Sequence, residues 1–385
     1  MLKTLLYTTR LLAFLLPSIA TGTPIRVIQA VENLVVFGDS YSDEGRLAYL
    51  QAHNGTSPPA GTGIPTSNMT ASGGYTWPHF ASQQLGATTY NYAVSGATCS
   101  NEIVYRYLES IHGPYPSVID YEIPAFLADV KYASGKGNGT FLSNRKPYNT
   151  VYALWIGTND LGNKGFLTDS QKRGATIPNF TDCIWSVFDA VYSTGGRRFV
   201  LFTEAPLDKS PLYASPQNGG VGDTRYWSNK TAYNTTEIEQ KMLEYTTSVN
   251  KIFSYGVPFH LLVEDRWPGA SFSILNVHQL FLDINSNPSA YLDAPANSSA
   301  PYYGCPVTAS NNVTCTTSKN SLSSFLWYDE LHPSSKADEI IAGEFVKLLQ
   351  KTSECKLSYT RNFEARAEPR RPVSRRFEYR NANML

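Results

Sequence analysis

Five apolar runs bounded by turn residues recur along the chain: Leu34 to Phe37, Thr88 to Tyr92, Val151 to Ile156, Arg198 to Thr203 and Phe259 to Val263. Helix-periodic segments separate them, at Trp77 to Leu85, Ile123 to Ala133, Asp182 to Ser193, Thr236 to Phe253 and Ser334 to Leu349, the last with Ile340, Ile341, Phe345, Leu348 and Leu349 on one face. A chain that alternates in this way returns each strand to the sheet by a crossover, which builds parallel sheet with helices packed against it. The expectation is an open, doubly wound α/β domain: a five-stranded parallel sheet with helices on both faces. Such a sheet binds ligands in the crevice beyond the carboxyl ends of its strands. With 385 residues and 42% apolar content, one large core is the simpler arrangement, and the domain is expected over residues 21–360. Two segments interrupt the alternation, His53 to Tyr75 and Pro288 to Ser324, both rich in turn-forming and polar residues, and both read as long surface loops.

The ends differ from the middle. Residues 1–20 carry Lys3 and Arg10, the short apolar block Leu11 to Leu16, and then Ser18-Ile19-Ala20, which together read as a secretory signal peptide. Arg10 and Pro17 leave far fewer than the roughly 20 apolar residues a membrane span requires. Residues 361–385 hold seven Arg against three Glu and no apolar periodicity, so a disordered basic tail is expected. The formal net charge is zero; removing the tail (+4) and the first 20 residues (+2) leaves about −6 for the domain. That balance offers no concentrated basic face for a nucleic acid. Eight Asn-x-Ser/Thr sequons, at Asn54, Asn68, Asn138, Asn179, Asn229, Asn234, Asn297 and Asn312, point to a glycosylated, secreted, extracellular protein. An oxidising destination favours disulfides over metal ligands. Cys305 and Cys315 enclose a short loop and are expected to pair; Cys99 with Cys183 is a second expected pair, with buried free thiols as its alternative, and Cys355 is left odd.

The chemistry concentrates at strand ends. Leu34-Val35-Val36-Phe37 runs into Gly38-Asp39-Ser40, which puts a serine where a buried strand breaks into a turn. Near the start of the last helix, Asp329-Glu330-Leu331-His332-Pro333 sets a carboxylate and an imidazole three residues apart, with Pro333 at or near the first helical position. Serine ester cleavage needs a hydroxyl, a base, a group that fixes the base's tautomer, and donors aimed at the developing oxyanion. Ser40, His332 and Asp329 match the first three. Of the six histidines, only His332 has a carboxylate three residues before it at a helix start. For the oxyanion, the loops after the second and third strands offer Gly96, whose backbone N–H can approach closely without a Cβ in the way, and Asn159, whose side-chain amide can donate; the N–H of Ser40 makes a third. The histidines lack ligand spacing and no Gly-rich phosphate motif is present, so neither metal nor cofactor is expected.

These blocks resemble those of the SGNH (GDSL-type) hydrolases, in which Ser, Gly, Asn and His come from four successive blocks. Gly38-Asp39-Ser40-Tyr41-Ser42-Asp43-Glu44-Gly45 matches the first, Asn91-Tyr92-Ala93-Val94-Ser95-Gly96-Ala97 the second, Gly157-Thr158-Asn159-Asp160 the third, and Asp329-x-x-His332-Pro333 the last. Tyr41 stands where many members have Leu. The resemblance spans residues 34–333 and implies a flavodoxin-like three-layer α/β/α fold with Ser40, Asp329 and His332 as the triad and Ser40, Gly96 and Asn159 as the oxyanion hole. The Trp327-Tyr328-Asp329 and Asn91-to-Thr98 blocks are further similar to fungal-type acetylesterases of carbohydrate esterase family 16. That implies removal of O-acetyl groups from acetylated plant-wall oligosaccharides by a secreted, monomeric enzyme. Tyr41, Trp155 and Trp327 are candidate sugar-stacking faces, with packing beside a strand end as the alternative reading for Trp155. Two other functions remain at this stage: a GDSL lipase or phospholipase acting on longer acyl esters, and an inactive secreted carbohydrate-binding protein that keeps the fold.

Overall fold

The computed structural model describes residues 30–135, 141–307 and 312–360; the expected signal peptide, the basic tail and the Asn138 sequon lie outside them. The central sheet consists of β1 (Asn33–Gly38), β2 (Thr88–Asn91), β3 (Thr150–Trp155), β4 (Arg198–Phe202), β5 (Ser271–Leu275) and β6 (Lys356–Thr360), in the order β6-β5-β4-β3-β1-β2. The first five are mutually parallel, and β6 runs antiparallel along β5. The order 2-1-3-4-5 reverses direction between β1 and β3, so loops leaving those two strands diverge and open a crevice at their carboxyl ends. β1 and β3 are buried along their whole length, as strands covered on both faces must be.

Helices α1 (Arg46–Ala52), α2 (Trp77–Leu85), α3 (Ile123–Ser134), α4 (Ile177–Ser193), α5 (Thr235–Pro258), α6 (Val277–Ser286) and α7 (Ser335–Leu349) make the connections. Strand alternation sorts them into two layers. Trp155 and Phe202 point to one face, where Phe202 meets Trp77 of α2 and Phe345 of α7 at 4.6 and 5.8 Å between ring centroids. Phe37, Tyr152, Phe199 and Phe272 point to the other, against Phe126 of α3 and Phe188 of α4. Each such ring removed from water contributes about 4–6 kcal/mol before the entropy of ordering it. α2 shows the local logic of a boundary: Pro78 lies in its first turn and Gly86 ends it in the left-handed region.

Two expectations about the sheet are corrected. Phe259–Val263 is not a strand but a π-turn that prolongs α5, and the fifth parallel strand is Ser271–Leu275. Val249, Phe253, Val257 and Leu261 form one buried stripe at i, i+4 spacing, while Phe259 and Val263 face outward, so the apolar run belongs to a helix period. The sheet also has six strands rather than five, because Lys356–Thr360 pairs with β5. Cys355, just before that strand, is a free, half-buried thiol, and the other four cysteines form Cys99–Cys183 and Cys305–Cys315. Two further helices, α1 and α6, lie where the sequence pattern predicts none. No helix among the described residues is long and apolar enough to cross a membrane.

Candidate active site

β1 ends at Gly38, whose φ of 149° and contact with the backbone of Trp155 exclude any side chain: an added Cβ would lie 2.3 Å from the Trp155 carbonyl oxygen. The chain then turns. The Asp39 carbonyl accepts from the N–H groups of Ser42 and Asp43, and its carboxylate accepts from Tyr41 N–H at 3.0 Å. This lifts Ser40 out of the strand with its side chain toward the crevice. Asp43 caps α1, accepting from the N–H groups of Gly45 and Arg46, and also takes the N–H and hydroxyl of Ser95, each at 2.8 Å. One carboxylate thus ties the serine turn to the loop that carries Gly96.

From the far end of the chain, the 329–332 turn arrives beside Ser40. His332 Nε2 lies 2.8 Å from Ser40 Oγ, and His332 Nδ1 lies 2.9 Å from Asp329 Oδ1. Asp329 Oδ1 also accepts from the N–H groups of Leu331 and His332, and Oδ2 accepts from Arg225 Nη2 at 2.8 Å and Tyr226 Oη at 2.7 Å. Burial by itself would raise the Asp329 pKa, but the facing His332, its hydrogen bond and the two backbone donors outweigh burial and hold the carboxyl below its ordinary value. Burial and the Asp329 charge together push the Tyr226 phenol well above its usual range, so it donates and does not ionise. The helix start differs from the expectation in one detail: Ser334 is the N-cap of α7, accepting from Ala337 N–H, and Pro333 stands one residue earlier.

Across the crevice, Gly96 (φ 87°) sits under the ring of Tyr115, which an added Cβ would approach to 2.5 Å. Among the described residues, neither the Gly96 N–H nor the Ser40 N–H has an acceptor, although both belong to an otherwise well-paired backbone. Asn159, in the helical turn Thr158–Leu161 after β3, donates from Nδ2 to the Ala97 carbonyl at 3.0 Å and to Asp39 Oδ2 at a longer 3.3 Å. Its Oδ1 accepts from Arg106 Nη1 at 2.9 Å. Asp39 and Asp160 are both fully buried, and burial raises each to about 7. An arrangement of this kind can remove a proton from a serine hydroxyl and leaves two backbone N–H groups without acceptors available to a substrate oxygen.

The three candidate stacking aromatics do not face the crevice. Tyr41, Trp155 and Trp327 are no more than 1% exposed. Tyr41 donates its hydroxyl to the Leu331 carbonyl at 2.8 Å and packs edge-on to Trp155 and His332, so these rings support the site from beneath. The half-buried rings on the base side are instead Tyr226, Tyr303 and Tyr328, with the Arg225 guanidinium between Tyr226 and Tyr303. Arg225, Tyr226 and Arg106 carry no signal in the sequence: each lies in a loop without periodicity, and nothing local marks a residue whose partner stands 53 to 104 positions away. No group of three or more His, Cys, Asp or Glu able to hold a metal occurs among the described residues.

The profile described as GDSL-like lipase/acylhydrolase matches residues 34–345. The chain belongs to this family. Its membership and its 48% identical acetylesterase relative make it a carboxylic ester hydrolase. GDSL relatives include an acetylesterase of Hypocrea jecorina, 48% identical over 82% of this chain and 88% of the relative, and an acetylesterase of Thermothelomyces thermophilus, 26% identical over 62% and 80%. A GDSL esterase/lipase of Arabidopsis thaliana is 23% identical over 89% of this chain and 96% of its own length. Among solved structures, an acetylxylan esterase from Geobacillus stearothermophilus aligns over 83% of this chain and 95% of that one, at 13% identity and a TM-score of 0.39.

Proposed function

We propose that this GDSL-family chain is a secreted acetylesterase that removes O-acetyl groups from acetylated plant-wall oligosaccharides through an acyl-enzyme on Ser40. The observation that carries the mechanism is the unbroken chain from Ser40 through His332 to Asp329, facing two backbone N–H groups without acceptors. The acetyl preference draws its support from the Hypocrea jecorina acetylesterase, which matches over most of both chains.

Ser40 Oγ attacks the acetyl carbonyl carbon while His332 Nε2 takes the hydroxyl proton. The N–H groups of Ser40 and Gly96 and the Nδ2 of Asn159 hold the resulting oxyanion; the long contact from Asn159 to Asp39 is the one that a substrate oxygen displaces. Collapse breaks the bond to the sugar oxygen, which leaves with the proton from His332. Water then attacks acetyl-Ser40 with His332 again as base, and acetate is released. Asp329 keeps the imidazole in the tautomer that presents an unprotonated Nε2 to Ser40.

Secretion is supported by the two disulfides and by the surface position of the sequons: Asn54, Asn68, Asn179, Asn229, Asn234 and Asn312 are exposed and Asn297 is half-buried. The test is acetate release from acetylated xylo-oligosaccharide set against hydrolysis of a long-chain acyl ester. A strong preference for the acetylated oligosaccharide is expected; preference for the long chain would make the protein a lipase or phospholipase.

A further inference from the structure

We propose that Arg106 is the positioning residue of the oxyanion hole: one guanidinium nitrogen holds both Gly96 and Asn159 in register. This rests on the reading of those two residues given above and extends it to a group outside all four sequence blocks. Arg106 Nη1 donates to the Gly96 carbonyl at 2.7 Å and to Asn159 Oδ1 at 2.9 Å. Gly96 and Asn159 come from loops after different strands, 63 positions apart, and this nitrogen is a direct bond between them.

The bond to Asn159 decides which way its amide points. Arg has donors and no acceptor, so the atom facing it must be Oδ1, and Nδ2 is left on the crevice side. Drawing electron density toward Oδ1 also strengthens Nδ2–H as a donor, because both atoms belong to one conjugated amide. The bond to Gly96 fixes the peptide that follows the unpaired Gly96 N–H, and the next carbonyl, Ala97, is itself an acceptor for Asn159. Arg106, Gly96, Ala97 and Asn159 therefore close a ring of hydrogen bonds around the two donors.

Arg106 is held for this task. Its guanidinium stacks on Tyr115 at 4.7 Å from the ring centroid, and the same ring covers Gly96. The Tyr115 N–H donates to the Arg106 carbonyl at 2.8 Å, and the Tyr115 carbonyl accepts from Asn101 at 2.9 Å. Among the described residues, no carboxylate lies within ion-pair distance of Arg106, so its positive charge is not cancelled by a direct partner beside the place where negative charge develops.

The experiment compares Arg106→Met, Arg106→Lys, Asn159→Ala and the Arg106→Met/Asn159→Ala double variant on an aryl acetate, with unfolding temperature as a check on folding. For Arg106→Met, kcat is expected to fall about 10- to 100-fold with KM within about twofold, since the oxyanion exists only in the transition state. Both contacts come from a single nitrogen, so lysine, with one nitrogen and three donors, should recover a substantial part of the loss. In the Asn159→Ala background, removing Arg106 should cost much less than it does alone. Full additivity, or Arg106→Met within about twofold of the parent kcat while Asn159→Ala is strongly impaired, would overturn the role of Arg106 and leave the oxyanion-hole reading standing. Asn159→Ala with unchanged kcat would overturn both.

Discussion

Two buried carboxylates beside the same crevice are shifted in opposite directions. Asp329, on the base side, is kept below the ordinary carboxylate range, whereas Asp160, on the oxyanion side, is raised to about 7. Both are fully buried, so burial cannot be the difference. Asp329 collects donors from its own turn, from His332, and from Arg225 and Tyr226. Among the described residues Asp160 receives only the Cys99 N–H from outside its own turn, at 3.0 and 3.2 Å to its two oxygens, and the charge of Asp39 adds repulsion. What a buried acid does in this protein is set by the number of donors the fold brings to it. The base side builds most of that shell from four consecutive residues, while the oxyanion side assembles its donors from separate loops.

The comparison can be broken in order of effect. Ser40→Ala removes the atom on which both sides converge and should lower kcat by roughly 10⁴-fold or more on an aryl acetate while the unfolding temperature stays near that of the parent; a variant as active as the parent would mean that Ser40 is not the nucleophile. Asp329→Asn keeps the shape of the base side but supplies an N–H where His332 needs an acceptor, so kcat should drop by about 10³- to 10⁴-fold. A loss under tenfold would mean that the Asp329 charge is not what orients His332. Tyr226→Phe removes one of the two donors that reach Asp329 Oδ2 from the 225–226 loop, and about a tenfold loss of kcat is expected, with Arg225→Met similar and the double variant less than multiplicative, because both donors serve one oxygen. Strict multiplicativity would mean that they act separately.

The smallest effect tests the contrast itself. Asp39, Glu44 and Asp160 each have a folded-state pKa raised to about 7, with burial as the leading cause. They bind protons in the folded chain that the unfolded chain has already released. The stability they contribute is fully present below the ordinary carboxylate pKa and is lost as pH rises through about 7. Asp329, depressed, acts in the other sense: its contribution is present above the ordinary value and lost as pH falls through the folded one. Unfolding temperature should therefore peak in mildly acidic solution, and Asp160→Asn should flatten the decline toward pH 8 by roughly a few degrees without moving the acid limb. An unchanged alkaline slope would show that Asp160 is ionised in the folded protein.

Much of the molecule was legible because its signals are local. Leu34 to Phe37 and Val151 to Ile156 are apolar without interruption, as central parallel strands must be, and α2, α3, α4, α5 and α7 carry helical periodicity near the bounds the structure gives. The fifth strand lies elsewhere than the pattern predicts because Phe259–Val263, apolar at four of five positions, is too short to declare a period. Phe259–Val263 continues the buried stripe of α5, while Ser271–Leu275 alternates serine with apolar residues and lies next to an edge that only Lys356–Thr360 covers. Tyr41, Trp155 and Trp327 were misjudged for a related reason: their proximity to the site in sequence is real, but the side of the strand end they occupy faces the core.

The sequence by itself determined that a serine follows a buried strand, that an aspartate and a histidine share a turn before a helix, and that Gly96 and Asn159 each follow a strand, because each is a relation among residues a few positions apart. Only the tertiary structure decided that Arg225 and Tyr226 close on Asp329 from 104 and 103 positions away, and that Arg106 joins Gly96 to Asn159. A hydrogen bond depends on distance in space, and in loops without periodicity nothing in the order of residues reports that distance.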